Sequence, residues 1–250
     1  EVLQDLNVDV LGLCEVENYK VLNDLNNAYK ERNYEIIHYE SPDNRGIDNA
    51  LLYDRNRFSI ISSRAIENKL KNGGPTRDVL YVLGEYNDAR LHIFVNHWPS
   101  NYGGKEKSIP KRNSTSKLLL AEIQKIKRAE VEPNIVLLGD FNEDPDDKNV
   151  LLLESAGLTN LMMDMTDKED MSTYIYRGTN YLYDQIIVSN SILDEKGFTL
   201  ADSTAYILDL PKYRQQKGKY KNYPFRFWAG NKLLGGYSDH LAVKVDFAIK

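Results

Sequence analysis

Short apolar runs, each ending in polar residues and a turn signal, recur along nearly the whole chain. The clearest is Ile135 to Leu138, preceded by Pro133-Asn134 and followed by Gly139-Asp140-Phe141-Asn142. This pattern predicts a buried strand. Gly139 permits a tight turn, and Asp140 and Asn142, two residues apart, can face one cleft while Phe141 packs backwards. Val8 to Cys14 predicts a second such strand, ending in Glu15-Val16-Glu17-Asn18. Glu17 and Asn18 suit the start of a helix running to about Tyr29, whereas Glu15 still belongs to the strand. Further strands are predicted at Tyr34 to Tyr39, Ala50 to Asp54, Phe58 to Ile66, Val79 to Leu83, Leu91 to His97 and Leu241 to Val245. Turns are predicted at Asn72 to Pro75 and at Asn87-Asp88. Thr173 to Tyr176 and Tyr181 to Ser189 look like a hairpin closed around Arg177 to Asn180. Helices are predicted at Val2 to Leu6, at Ser114 to Arg128, where Leu119, Ile123 and Ile126 recur at helical spacing, and at Asp146 to Ser155. Leu158 to Asp170 reads as irregular. The stretches from Asn101 to Arg112 and from Lys212 to Arg226 read as polar, basic loops.

Strands and helices alternate without a linker, repeat or low-complexity segment, so one domain over 1–250 is expected. A hydrophobic fraction of 42% and a charged fraction of 28% place the chain with globular proteins, and no apolar run is long enough to span a membrane. The single cysteine, Cys14, excludes an internal disulfide framework and is expected as a buried thiol. A formal charge of −5 weighs against a binder that coats nucleic acid without sequence preference, though not against a locally positive site. The chain begins at Glu1, without Met, inside a helical pattern, so its compartment stays open: periplasmic, secreted or cytoplasmic.

Chemistry concentrates at the strand ends. Asp140 and Asn142 together supply an acceptor that can orient a water and a donor for a phosphoryl oxygen, although an Asx-rich turn gives the same pattern. Glu15 is a candidate ligand for a hard cation. His97 ends a strand before Trp98-Pro99, whereas His92 alternates with apolar residues and is expected to be structural. Asp184 lies among aromatic and aliphatic strand residues, where a carboxylate is costly unless an imidazole or arginine meets it. Asp239 and His240 follow Gly235-Gly236 at the mouth of the last strand. Arg45, Arg77, Arg112 and Arg226 are candidate contacts for a substrate anion, each with a plain surface or loop role as the alternative. The tyrosines of the Lys212 to Arg226 loop are candidate stacking surfaces.

Five stretches, in order, resemble the endonuclease/exonuclease/phosphatase family, whose fold is that of deoxyribonuclease I. They are Asp9 to Val16, Asn96-His97-Trp98-Pro99-Ser100, Gly139-Asp140-Phe141-Asn142, Tyr183 to Ser189, and Ser238-Asp239-His240. The Ser41-Pro42-Asp43-Asn44-Arg45-Gly46 loop and the Asn96 to Ser100 stretch look most like a bacterial branch. The resemblance implies an α+β fold, a four-layer α/β/β/α sandwich. It also implies a divalent-metal-dependent phosphoesterase using Mg²⁺, with Mn²⁺ or Ca²⁺ as alternatives. By position, Glu15 matches a metal-ligand glutamate and Asp239 a residue near the metal. Asp140 and Asn142 match the pair that positions the attacking water and the phosphoryl group. His240 matches the catalytic histidine and Asp184 the carboxylate orienting it; His97 matches a histidine assisting phosphate binding or proton transfer. The implied partner is a phosphate-ester substrate, whether small molecule, lipid head group or nucleic acid, and a monomer is expected. DNA endonuclease activity and a non-catalytic binding module are the alternatives. The family's usual first strand, upstream of the Glu15 strand, has no counterpart in the chain, which predicts an open sheet edge there.

Overall fold

The computed structural model describes residues 1–70, 74–202 and 205–250; Asn72 and Gly73 of the predicted turn lie outside them. The chain starts with α1 (Val2–Leu6), β1 (Val10–Val16), α2 (Tyr19–Ala28), β2 (Tyr34–His38), β3 (Asp48–Asp54) and β4 (Ser59–Ile66). It continues through β5 (Val79–Tyr86), β6 (Ala89–His97), α3 (Lys105–Ala129), β7 (Ile135–Asp140), α4 (Lys148–Leu151) and β8 (Leu158–Asn160). A ribbon of β9 (Tyr174–Tyr176) and β10 (Thr179–Tyr181) precedes β11 (Asp184–Ser189). The last short strands are β12 (Phe198–Leu200), β13 (Tyr206–Ile207), β14 (Trp228–Ala229), β15 (Lys232–Leu233), β16 (Val243–Lys244) and β17 (Phe247–Ile249).

A six-stranded sheet in the order β4-β5-β6-β7-β11-β8 forms one layer. Facing it are the three-stranded sheet β1-β3-β2 and the two-stranded pairs β12-β17 and β13-β16. Alternation of side chains across the strands builds three cores. Ile93, Val95, Val136 and Ile186 fill the space between the sheets together with Leu51 and Phe58. On the outer face of the large sheet, Phe94, Leu137 and Ile187 pack against Leu119 and Ile123 of α3. On the outer face of the small sheet, Ala50 and Leu52 pack against Leu6 and Leu22 of α1 and α2. Helices therefore cover both outer faces, and the α+β four-layer sandwich is as expected. No helix among the described residues is long and apolar enough to cross a membrane.

Several expected elements differ: Leu158 to Asp170, expected to be irregular, begins with β8, which pairs with β11 at the edge of the large sheet. The stretch from Asn101 to Arg112 is not all loop, because α3 begins at Lys105 and carries Pro110 within it. Its buried face in this half is polar, made by Ser108, Arg112, Thr115 and Ser116, so apolar periodicity does not reveal it. The predicted hairpin from Thr173 to Ser189 divides: β9 pairs with β10 around Arg177-Gly178, while β11 leaves to pair with β7 and β8. Asp146 to Ser155 is one short turn of α-helix continued as 3₁₀-helix to Ala156.

The large and small sheets enclose a cavity of about 1140 Å³. Its apolar end is lined by Val10, Val136, Leu138, Ile186, Val243 and Val245, and its polar end by the strand-end residues described below. Among the described residues β1 pairs only with β3.

Candidate active site

The parallel pairing of β6 with β7 sets His97 opposite Asp140, and the antiparallel pairing of β7 with β11 sets Asp140 opposite Asp184. Three polar residues thus end three adjacent strands. Gly139, at φ 124°, makes this close pairing possible: a Cβ there would lie 2.0 Å from the carbonyl oxygen of Asn96. Phe141 turns back into the outer core and packs on Trp98 at 4.9 Å between ring centres. Trp98 N–H in turn donates to the Asp140 carbonyl at 2.8 Å.

His240 arrives from the far end of the chain. It bridges to Tyr174, and Leu241 N–H donates to the Thr173 carbonyl at 2.8 Å. His240 Nδ1 lies 2.7 Å from Asp184 Oδ2, so the carboxylate that looked misplaced in its strand has the imidazole partner it required. The Thr173 hydroxyl also accepts the Asp184 N–H, at 3.0 Å. Desolvation works against the imidazolium, but the Asp184 charge and hydrogen bond, with Asp140 and Asp239 nearby, push the His240 pKa up to about 10. Asp140 is raised, chiefly by desolvation, with the positive His240 opposing and the negative Asp184 reinforcing the shift. His97 is lowered well below its ordinary value by burial and by Arg77 and Arg45, which favours the neutral imidazole. Its Nε2 lies 3.4 Å from Asp140 Oδ2, and its buried Nδ1 has no partner among the described residues.

Asn142 takes a left-handed backbone, φ 50°. Its backbone N–H donates to Asp140 Oδ1 at 2.8 Å, and its carboxamide Nδ2 donates to Asp140 Oδ2 at 2.9 Å and to the Trp98 carbonyl at 3.1 Å. The carboxamide donors face inward, so Asn142 holds Asp140 rather than offering a donor to the cleft. Glu15 also has a positive φ, 58°, and sits in a bulge where the β1–β3 register shifts between Leu13 and Val16. The bulge re-aims its side chain into the cleft. There its carboxylate is 58% exposed, 3.7 Å from Arg45 and 4.0 Å from His97 Nε2.

The arginines separate clearly. Arg45 lines the cleft and is half exposed. Arg77 is buried, bound to Asp43 at 3.1 Å and to the Trp98 carbonyl at 2.6 Å, and braces the loop that carries Arg45. Arg112 is fully buried on α3, with its Nε 2.8 Å from Glu143 and its Nη1 3.1 Å from the Pro99 carbonyl. Neither lines the cleft; each neutralises or satisfies groups beneath it. Arg226 is ion-paired with Asp239. In the basic loop, Lys212 pairs with Asp5 and Arg214 with Asp209. His92 is structural, held between the Tyr81 hydroxyl at 2.8 Å and Glu130 at 3.2 Å. Cys14 is only partly buried and donates its thiol hydrogen to the Asn96 carbonyl at 3.2 Å.

A half-exposed carboxylate at a bulge, in the cleft that Asp140 also lines, suits Mg²⁺, which is commonly held by one or two carboxylates, waters and substrate phosphate. Glu15 meets that requirement. Asp239 is engaged by Arg226, so it would have to exchange that partner to bind an ion. Elsewhere, His38, Glu40 and Asp48 bring their ligand atoms within 4.8 Å of one another. Asp48 there also accepts from the Ser41 backbone and hydroxyl at 2.8 and 2.6 Å, closing the loop between β2 and β3.

The sequence reading passed over Tyr174, whose ring stacks on His240 at 4.6 Å, and Asn101, which donates to the Asn142 carbonyl and to the Tyr183 hydroxyl, both at 3.0 Å. The available signal was the alternation of tyrosines at 174, 176, 181 and 183.

The fold is of the deoxyribonuclease I type. A family model for the endonuclease/exonuclease/phosphatase family matches residues 1–249, and the chain belongs to that family. No curated protein sequence matches it. Among solved structures, the human Nocturnin catalytic domain with bound sulfate is 19% identical, with a TM-score of 0.67 over 99% of this chain and 83% of that one. TDP2 of D. rerio complexed with a single-strand DNA product is 17% identical, with a TM-score of 0.65 over 98% and 88%. A mannosyl-6-phosphatase of Bacteroides thetaiotaomicron is 16% identical, with a TM-score of 0.60 over 99% and 88%.

Proposed function

We propose that the protein is a divalent-metal-dependent phosphoesterase that hydrolyses a phosphodiester by attack of water. The observation carrying this reading is the His240–Asp184 pair, 2.7 Å apart, brought beside a desolvated Asp140 by three separate stretches of chain. A purely structural site has no need of an imidazolium held charged next to a carboxylate whose proton affinity is raised.

Mg²⁺, held by Glu15, would neutralise the phosphoryl oxygens and stabilise the leaving oxygen. Asp140, oriented by both nitrogens of Asn142, accepts the proton of the attacking water. The His240 imidazolium donates from Nε2 to a phosphoryl oxygen, since Nδ1 is committed to Asp184. Neutral His97, beside Asp140, offers a second donor from Nε2. Arg45 supplies positive charge at the mouth.

The test is hydrolysis of a chromogenic phosphodiester with Mg²⁺. Activity is expected to vanish with EDTA and to fall on the order of 10²–10³-fold in His240→Ala, the typical loss for one transition-state donor. Equal turnover by wild type and variant would refute the assignment. The neighbouring structures include both a DNA-bound protein and a sugar phosphatase by name, so a panel of diesters and monoesters ranks the substrate classes.

A further inference from the structure

Tyr174, Tyr176, Tyr181 and Tyr183 form a continuous aromatic wall that starts at the catalytic imidazole. Tyr174 stacks on His240 at 4.6 Å and 26° between planes. It lies 5.6 Å and 21° from Tyr183, and 6.5 Å and 10° from Tyr176. Tyr181 packs on Tyr183 at 4.7 Å, and the Arg177 guanidinium sits 5.2 Å over the Tyr176 ring. All of these residues line the cleft that holds Glu15, Asp140 and His240.

The ribbon's construction explains how the row arises. In the β9–β10 register Tyr174 faces Tyr181 and Tyr176 faces Thr179, so Tyr174, Tyr176 and Tyr181 share one face. Among the described residues the ribbon pairs with no larger sheet and touches the body through the Tyr174–His240 bridge. Its outer end is open: Tyr176 is 50% exposed and Arg177 is exposed. Tyr102, 95% exposed, and Lys105 line the same cavity.

A core role explains Tyr183, which is buried, but not Tyr176 and Arg177, a half-exposed ring with a cation over it. Near-parallel rings one and two places from the reacting centre match a ligand whose flat groups are strung from phosphates. Unpaired nucleobases have that form, and stacking on aromatic side chains is tolerant of base identity. An aliphatic lipid tail would use the apolar end of the cavity and leave the tyrosine row without a role, and a monosaccharide phosphate would need one platform beside the phosphate, not a row leading away from it.

We propose that the β9–β10 ribbon is a stacking platform for the unpaired bases of a single-stranded nucleic acid whose scissile phosphodiester lies at His240, with Tyr176 and Arg177 as specificity-determining residues. This rests on the phosphoesterase reading and names its substrate class.

Binding in EDTA separates the two. Fluorescein-labelled hexathymidylate and a hexamer of the same backbone without bases are titrated by anisotropy. Wild type is expected to bind the base-bearing oligomer about ten-fold more tightly, in line with one stacked base. Tyr176→Ala with Arg177→Ala should reduce that preference to about two-fold or less while leaving the thermal midpoint unchanged, and Tyr176→Phe should keep it. Equal binding of both oligomers by wild type, no measurable binding of either, or an undiminished preference in the double variant would overturn the proposal. Loss of chromogenic diester hydrolysis in wild type with Mg²⁺ would instead overturn the phosphoesterase reading, whatever the binding preference.

Discussion

Asp184 is tolerated within an aromatic and aliphatic strand because of the imidazole it faces. The pair has a consequence for stability that needs no substrate. The folded-state pKa of His240, about 10, stands above an unfolded value of about 6.5. The folded state therefore binds the proton more tightly, and this contribution is fully present below pH of about 6.5 and is lost as pH rises toward 10. In EDTA, the gap in thermal midpoint between wild type and Asp184→Asn should be widest near pH 6 and should narrow steadily to pH 10. A gap that stays constant over that window would show that Asp184 does not hold the imidazolium. The misfit of Asp184 was visible in the sequence because a carboxylate among Tyr183, Ile186 and Ile187 demands an explanation. Arg77 and Arg112 carried no such signal. An arginine in a polar stretch looks the same whether it lines a cleft or is buried under one, and only the partners Asp43 and Glu143 decide it.

At the scale of elements, strands were more legible than the N-terminal half of α3. Buried strands such as β3 and β7 advertise themselves through consecutive apolar residues. The Lys105 to Ser116 half of α3 buries Ser108, Arg112, Thr115 and Ser116, so its inward stripe is hydrogen-bonded rather than apolar. Ser116 Oγ donates to the Asn149 carbonyl at 2.8 Å, and Asn149 Nδ2 donates to Glu143 at 2.9 Å. This network joins α3 to the loop that follows Asn142. Arg112→Ala would leave Glu143, 1% exposed, as a buried charge without its cation. Breaking a buried pair from one side costs about 3–5 kcal/mol. Urea denaturation should therefore show a lower midpoint with an unchanged slope, and Arg112→Ala with Glu143→Gln should recover part of the loss. If the single variant unfolds at the wild-type midpoint, α3 is not anchored through this pair.

Taken whole, the molecule carries a formal charge of −5, yet Arg45 and Arg177 stand exposed at the cleft. The basic loop from Lys212 to Arg226 adds less than its composition suggests, because Lys212, Arg214 and Arg226 are each paired with an aspartate. Arg45 and Arg177 are exposed arginines at the cleft mouth, and their number sets how binding there should respond to salt. Each phosphate neutralised on a single strand contributes a slope of about −0.7 to the dependence of log affinity on log salt. Contacts from Arg45 and Arg177 together predict a slope of about −1.4 for a single-stranded oligonucleotide, measured in EDTA between 50 and 200 mM salt. A slope steeper than about −4 would require more phosphate contacts than these two cations make and would place an extended basic track on the surface. A slope near zero would remove the phosphates from the binding energy and leave stacking alone. The shallow intermediate value follows from a cleft mouth that presents two exposed arginines, where a strand's end can enter and a duplex's many phosphates gain little.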